Sequence, residues 1–261
     1  MKLEMYQVDA FSSELFAGNP AAVCPLPYWL DDKVIQAIAF ENNLSETAFL
    51  VGSGASYEIR WFTPTTEVAL CGHATLASGY VVSTFLCTSA DKWCFSSESG
   101  QLMVFRKENR LCLDFPSRPG ETIACPTILS DALGIEPSET FLAADHMVVL
   151  ESEAAIRALA PDFDLISQLD SSGLIATAPG TDCDFVSRCF FPQLGVPEDP
   201  VTGSAHCTLA PYWAKRLGKE SLHCRQISKR GGELWCETKG ERVEISGHCA
   251  LYLRGEIFIS T

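Results

Sequence analysis

The chain has no C-x-x-C pair, no Lys or Arg run longer than two, and no apolar stretch long enough to span a bilayer. Each absence excludes something. Without a basic patch, and with a formal net charge of −14, nucleic acid and anionic membrane are poor partners. The segment from Met1 to Phe16 is polar throughout and lacks the apolar centre of a secretory signal, so the expected compartment is cytoplasmic. There the twelve cysteines are expected to stay reduced and to act as small core hydrophobes rather than as disulfide partners. The five histidines show no metal-ligand pairing, which weighs against zinc, and nothing else calls for a metal or cofactor.

What is present fits a globular protein. Hydrophobic residues make up 47% of the 261 positions and charged residues 20%, enough for a large core and two modest domains. The pattern predicts strands at 3–9, 46–51, 57–62, 102–106 and 110–115, the last two as a hairpin. An amphipathic helix is predicted over 31–42, with Asp31 or Asp32 as its cap. The interruption at Pro116, Pro119 and Gly120 marks the domain boundary. Beyond it a helical turn is predicted at 130–133 and a helix over 151–159. Strands follow at 141–150, 174–178, 184–191, 226–229, 234–238, 243–246 and 250–260.

Two segments share one layout. Glu67-Val68-Ala69-Leu70-Cys71-Gly72-His73-Ala74-Thr75 leads into a charge-free run from Ala74 to Leu86. Glu198-Asp199-Pro200-Val201-Thr202-Gly203-Ser204-Ala205-His206 leads into another, predicted as a helix over 204–217. Pro211 should bend that helix or shift its start, and Gly218 suits its end. A glycine turn opening a helix aims backbone N–H groups at whatever lies in front, a good setting for an anion. Both helices look apolar nearly all round, so each must be wrapped by other structure. The expected fold is α/β (α+β): two pseudo-symmetric domains, each a curled mixed β-sheet around one central helix.

Five motifs run in order along the chain. They are Val8-Asp9-Ala10-Phe11 with Phe16-Ala17-Gly18-Asn19-Pro20-Ala21-Ala22-Val23, then Asn43-Leu44-Ser45-Glu46-Thr47-Ala48-Phe49, then Cys71-Gly72-His73-Ala74-Thr75, then Leu113-Asp114-Phe115-Pro116, and finally Glu198 to His206. Together they resemble the signatures of the PhzF (phenazine biosynthesis-like) family. The resemblance implies a diaminopimelate-epimerase-like fold with an active site in the cleft between domains 1–116 and 117–248, the final strand 249–261 rejoining the first. It also implies a homodimer and a cofactor-independent isomerase acting on a small anionic, carboxylate-bearing substrate.

On that resemblance Glu46 is the catalytic proton shuttle, with His73 and Asp199 positioning the substrate. Gly72, Gly203 and Ser204 bind its anionic end. Read alone, Glu46 lies in an apolar neighbourhood that should raise its pKa toward acid/base work, or else it is a solvated strand-edge residue. Asp199 alone reads equally as a helix cap, His73 as a capping or packing residue, and the glycines as simple turn geometry.

Epimerases of this fold place a thiol at both helix starts. Here the pair is Cys71 and Thr202, and a threonine hydroxyl is no base near neutral pH. Two-thiol racemisation therefore lacks a partner, leaving Cys71 a buried bystander or a lone reactive thiol. A serine hydrolase built on Ser204, His206 and Asp199 is weak, because Gly203-Ser204-Ala205 is no nucleophile elbow. Arg188 and Arg230 read either as anion contacts or as partners of Glu198 and Glu233. The alternatives kept are a non-catalytic ligand- or partner-binding protein and a one-thiol epimerase using Cys71.

Overall fold

The computed structural model describes residues 1–259 and divides into two units, Met1–Asp114 with the segment from Ser246 onward, and Phe115–Ile245. The first contains β1 (Lys2–Ala10), β2 (Asn19–Leu26), α1 (Asp32–Asn42), β3 (Glu46–Ser53), β4 (Ser56–Phe62) and β5 (Glu67–Val68). These are followed by α2 (Gly72–Val81), β6 (Lys92–Ser97), β7 (Gly100–Lys107) and β8 (Arg110–Pro116), and the C-terminal strand Cys249–Phe258 completes the unit. Across its sheet the order is C-terminal strand, β1, β2, β3, β4, β6, β7, β8. Neighbours run antiparallel, antiparallel, parallel, antiparallel, parallel, antiparallel and antiparallel.

The parallel pairing of β4 with β6 demands a crossover, and α2 supplies it. This helix packs on β1, β2, β3, β7 and the C-terminal strand, so nearly every residue on it is buried. Its two polar side chains of the middle turns bond back to the helix itself: Thr75 Oγ1 donates to the Cys71 carbonyl at 2.5 Å and Ser78 Oγ to the Ala74 carbonyl at 2.7 Å. The predicted run to Leu86 is helical but changes pitch, since Val82–Leu86 forms a π turn.

Gly79 is where α2 comes closest to the sheet. A Cβ there would lie 2.5 Å from Val104 Cγ1 and 3.1 Å from Val104 Cβ on β7. Helix propensity favours alanine over glycine by about 1 kcal/mol. Overpacking against a stiff β-branched neighbour costs about 1–3 kcal/mol, so packing decides the sign. Gly79→Ala is expected to lower the Tm, and a raised Tm would show that the contact relaxes.

Helix α1 covers the other side of the strands. Asp31 caps it by accepting from the Lys33 N–H, and it ends at Asn43, whose left-handed φ of 49° suits asparagine. Ile35 and Ile38 pack into a cluster with Leu3, Phe49 and Phe62, each isoleucine contributing about 1.5–3 kcal/mol by burial.

The second unit contains β9 (Glu121–Thr122), α3 (Thr127–Leu133), β10 (Glu139–Leu142), β11 (His146–Val149), α4 (Glu153–Ala158), α5 (Phe163–Ile166) and β12 (Leu174–Pro179). It continues with β13 (Phe185–Phe191), β14 (Val196–Asp199), α6 (His206–Leu217), β15 (Ser221–Gln226), β16 (Gly232–Lys239) and most of β17 (Arg242–Gly247). From β9 through β10, β11, β12, β13, β15 and β16, neighbours run antiparallel, antiparallel, parallel, antiparallel, parallel and antiparallel. That is the sequence of directions found in the first unit, with α6 as the crossover between parallel β13 and β15. The internal repeat of architecture is therefore real.

Three expectations need correction here. The run 141–150 is two strands, β10 and β11, because a tight turn at Ala143-Ala144-Asp145 sits inside an apolar stretch; the Ala143 N–H bonds the Asp145 carbonyl at 3.1 Å. The strand expected at 226–229 ends at Gln226; Ser228 and Gly231, the latter at φ 69°, form the turn that follows. Helix α6 begins at His206 and not Ser204, and its last turn is not wrapped, Lys215, Arg216 and Leu217 being exposed. Pro211 leaves the Cys207 carbonyl without its helical donor, and the Arg118 N–H takes that place at 2.9 Å. The final strand reaches Phe258, and the expected end at Ser260 lies outside the described residues.

Candidate active site

Glu46 is the first residue of β3, in register with Ala21 of β2. The left-handed Asn43 that closes α1 reverses the chain three residues earlier, which places the carboxylate at the sheet end. His73, second residue of α2, brings its Nε2 to 3.2 Å from Glu46 Oε2. The imidazole is buried, and the carboxylate side chain is 19% exposed. At the other ring nitrogen, Cys71 Sγ lies 3.5 Å from His73 Nδ1. The three groups thus form one compact cluster, a donor atom of each lying within 4.8 Å of the other two.

The charges follow from this cluster. Burial opposes a proton on His73, but the neighbouring Cys71 and Glu46 outweigh it and hold the imidazole well above its ordinary pKa. Burial, reinforced by Glu46, pushes the Cys71 thiol up, and His73 offsets this only in part. The surroundings thus bias the imidazole toward its charged form and the thiol toward its neutral one. Glu46 Oε2 and His73 Nε2 meet at ion-pair distance without the alignment of a hydrogen bond, so neither atom is saturated. Gly72 lies between Cys71 and His73 as the first residue of a helix with no side-chain cap and no acidic residue in its first turn. Such an end suits a carboxylate.

In the second unit, Asp199 ends β14 opposite Cys189 of β13. It does not cap α6, whose N-cap is Ala205 with no side-chain bond. Instead Asp199 Oδ2 accepts from the Thr202 hydroxyl at 2.5 Å. Gln226 clamps this turn from within the core: its Oε1 accepts from the Thr202 N–H at 2.8 Å and its Nε2 donates to the Asp199 carbonyl at 2.8 Å. The Thr202 carbonyl in turn accepts from His206 Nδ1 at 2.8 Å, as the Cys71 carbonyl accepts from Thr75 in the first unit. Gly203 is buried, Ser204 is exposed, and their carbonyls accept from His206 and Cys207 N–H at 3.1 Å each. His206 is wholly buried and turned to the backbone, so it is no partner for Ser204.

Sequence reasoning missed Gln226 and left Cys71 open between a buried bystander and a reactive thiol. Cys71 is buried and touches the imidazole, a contact that the C-x-H spacing at the helix start could have signalled. Gln226 showed only as a polar residue at a strand boundary, and a buried amide clamp leaves no motif. Arg188 is settled as well. It grips Glu198 with two bonds of 2.6 and 2.9 Å and donates to the Ile156 and Leu159 carbonyls, an internal anchor rather than an anion contact. Glu233 pairs with His223 at 2.7 Å.

The twelve cysteines are all free thiols, and none is exposed. No described helix is long and apolar enough to cross a membrane.

Comparison with known proteins matches this geometry to a family. Residues 8–255 fit the family profile described as phenazine biosynthesis-like protein. The chain is 52% identical to a Pseudomonas aeruginosa protein named an uncharacterized isomerase, covering all of both chains. A crystal structure of a PhzF family protein from Enterococcus faecalis superimposes with a TM-score of 0.97 at 47% identity, covering 99% of this chain and 100% of that one. A structure described as a predicted epimerase from Pseudomonas aeruginosa shares the fold, with a TM-score of 0.79 at 21% identity over 99% of this chain and all of that one. With the internal repeat, the two helix-opening turns and these matches together, the chain belongs to the phenazine biosynthesis-like (PhzF) protein family, with the diaminopimelate-epimerase type of fold.

Proposed function

We propose that the protein is an isomerase that moves a proton between two carbons of a small, carboxylate-bearing substrate, with Glu46 as the single acid/base. The observation that carries this reading is the Glu46–His73 pair: a carboxylate 3.2 Å from an imidazole whose pKa is held well above its ordinary value. An imidazolium so placed steadies the carboxylate's charge and fixes its position. A carboxylate can take a proton from one carbon and return it to another on the same face of the substrate, which needs no second base.

The name of the Pseudomonas aeruginosa relative, an isomerase, agrees with this reading. Cys71 competes poorly as the base, because its raised pKa leaves little thiolate near neutral pH. For the substrate's anionic end we propose the N–H groups at Gly72, Gly203 and Ser204, and for its positioning His73 and Asp199. The Thr202 hydroxyl donates to Asp199 and helps hold that carboxylate in place.

The test is a panel of small cyclic and aromatic amino acids incubated with the protein in heavy water and read by proton NMR. Loss of an α- or γ-hydrogen signal from one compound, dependent on active protein, is the expected result. A folded protein that exchanges no hydrogen on any member, yet binds one of them, would favour a non-catalytic binding role.

A further inference from the structure

The cluster of Cys71, His73 and Glu46 has a second chemical capacity, because sulfur, nitrogen and oxygen donors converge there. One donor atom from each residue lies within 4.8 Å of the other two. Zinc bonds of about 2.0–2.3 Å to such atoms set tetrahedral ligands about 3.3–3.8 Å apart. The Cys71–His73 separation of 3.5 Å and the His73–Glu46 separation of 3.2 Å are close to that spacing already. Glu46 Oε2 and His73 Nε2 are both buried, and their mutual 3.2 Å contact lacks the alignment of a hydrogen bond, so each keeps capacity to bind a cation.

We propose that Cys71, His73 and Glu46 form a binding site for a single thiophilic divalent cation, zinc being the natural occupant, with an open fourth position. The two measured contacts use opposite nitrogens of the His73 ring, so binding turns the ring or Glu46 until one nitrogen faces both partners. A shift of about 1 Å suffices on the bond lengths above. Glu46, the one member with partial exposure, supplies the movement and the entry path.

The charges balance. On binding, the Cys71 thiol and the His73 imidazolium each release a proton to solvent. One thiolate and one carboxylate then neutralise the doubly charged ion around a neutral imidazole. The sulfur and imidazole donors select zinc, cadmium or cobalt(II) over magnesium and calcium, which prefer oxygen.

The histidine spacing that argued against zinc looked only within the sequence motif, whereas the third ligand comes from a separate strand. If Glu46 carries protons as proposed above, an occupied site is an inhibited one, because the ion withholds the base. That consequence rests on the isomerase reading; the binding site does not.

The experiment uses the full chain, reduced and stripped of metal, titrated with cobalt(II) by absorption and with zinc by calorimetry, without substrate. One equivalent should bind with a near-ultraviolet sulfur-to-cobalt charge-transfer band and the visible bands of a tetrahedral ion. Partners that merely orient a ligand change affinity by about 10–100-fold, so Cys71→Ser and Glu46→Gln should each weaken zinc by at least about 100-fold. Glu46→Gln keeps side-chain volume, and near-ultraviolet circular dichroism verifies that each variant folds.

Unchanged one-to-one binding in both variants would overturn the proposal. It would move the metal elsewhere, for instance to the buried thiols of Cys224 and Cys236, 3.6 Å apart. No binding at about millimolar metal, far weaker than a preformed three-ligand site should show, would overturn it too. Neither result bears on proton exchange, which the heavy-water panel reads separately.

Discussion

Glu46→Gln is expected to lower turnover by about 1,000-fold while leaving the fold intact. The amide keeps the volume of the carboxylate but cannot take a proton from carbon, and general acid/base groups typically contribute about 100- to 10,000-fold. A thousandfold loss is about 4 kcal/mol of barrier, more than any packing change at a partly exposed side chain would produce. The same substitution has a second readout. It removes one of the two partners that hold the His73 pKa up against burial, so the imidazole should titrate lower in the variant. NMR of the ring protons across pH measures this without substrate. Full activity in Glu46→Gln, with activity lost in Cys71→Ala, would transfer the base to the thiol.

Acid is expected to destabilise the protein through His206, a residue with no proposed part in the chemistry. Burial lowers its pKa from the ordinary 6.5 to about 4, and the bond from Nδ1 to the Thr202 carbonyl offsets this only in part. Its other nitrogen, Nε2, is buried without a partner, which suits the neutral ring. As pH falls through 6.5 the unfolded chain takes up a proton that the folded chain refuses until about pH 4. The unfolded state therefore binds more protons in that window, and stability falls on acidification.

The contribution is complete above pH 6.5 and is lost by about pH 4, a change of about 3 kcal/mol. That is a large share of a typical stability of about 5–15 kcal/mol. Urea unfolding at about pH 7 and about pH 4.5 measures it, with His206→Asn as reference so that carboxylate titrations cancel. The wild-type protein should lose more stability over this interval than the variant. Equal losses would show that His206 is protonated in the fold or solvated.

The legible parts of the sequence were those carried by local pattern. A cap at Asp31 or Asp32, the hairpin of β7 and β8 and the buried helix behind Gly72 each follow from a short run of residues whose periodicity or turn chemistry is decisive. Pro211 was visible as an irregularity, but the remedy was not, because the Arg118 N–H that meets the Cys207 carbonyl comes from a distant part of the chain. The turn at Ala143-Ala144-Asp145 was hidden for a different reason: apolar residues flank it on both sides, so composition shows one strand where the backbone makes two.

The candidate site divides in the same way. Glu46, His73 and Asp199 stood out through motifs, and the left-handed Asn43 and the helix-opening turn explain why those motifs hold these residues where they do. What the motifs could not carry was the third dimension. Cys71 acquires meaning only when β3 brings Glu46 to the same imidazole. Gln226 acquires its own only when β15 lies parallel to β13 and slides the amide under Thr202. Both are pairings between elements remote in sequence.

The most direct measurement is the hydrogen content of product formed in heavy water from a substrate found by the panel, read by mass spectrometry after a single turnover. A lone carboxylate that removes and returns the proton should deliver the substrate's own hydrogen to the product in a sizeable fraction of turnovers. Product fully deuterated from the first turnover would contradict the one-base account, because it requires either a second base or a carboxylate that exchanges with solvent faster than it returns its proton.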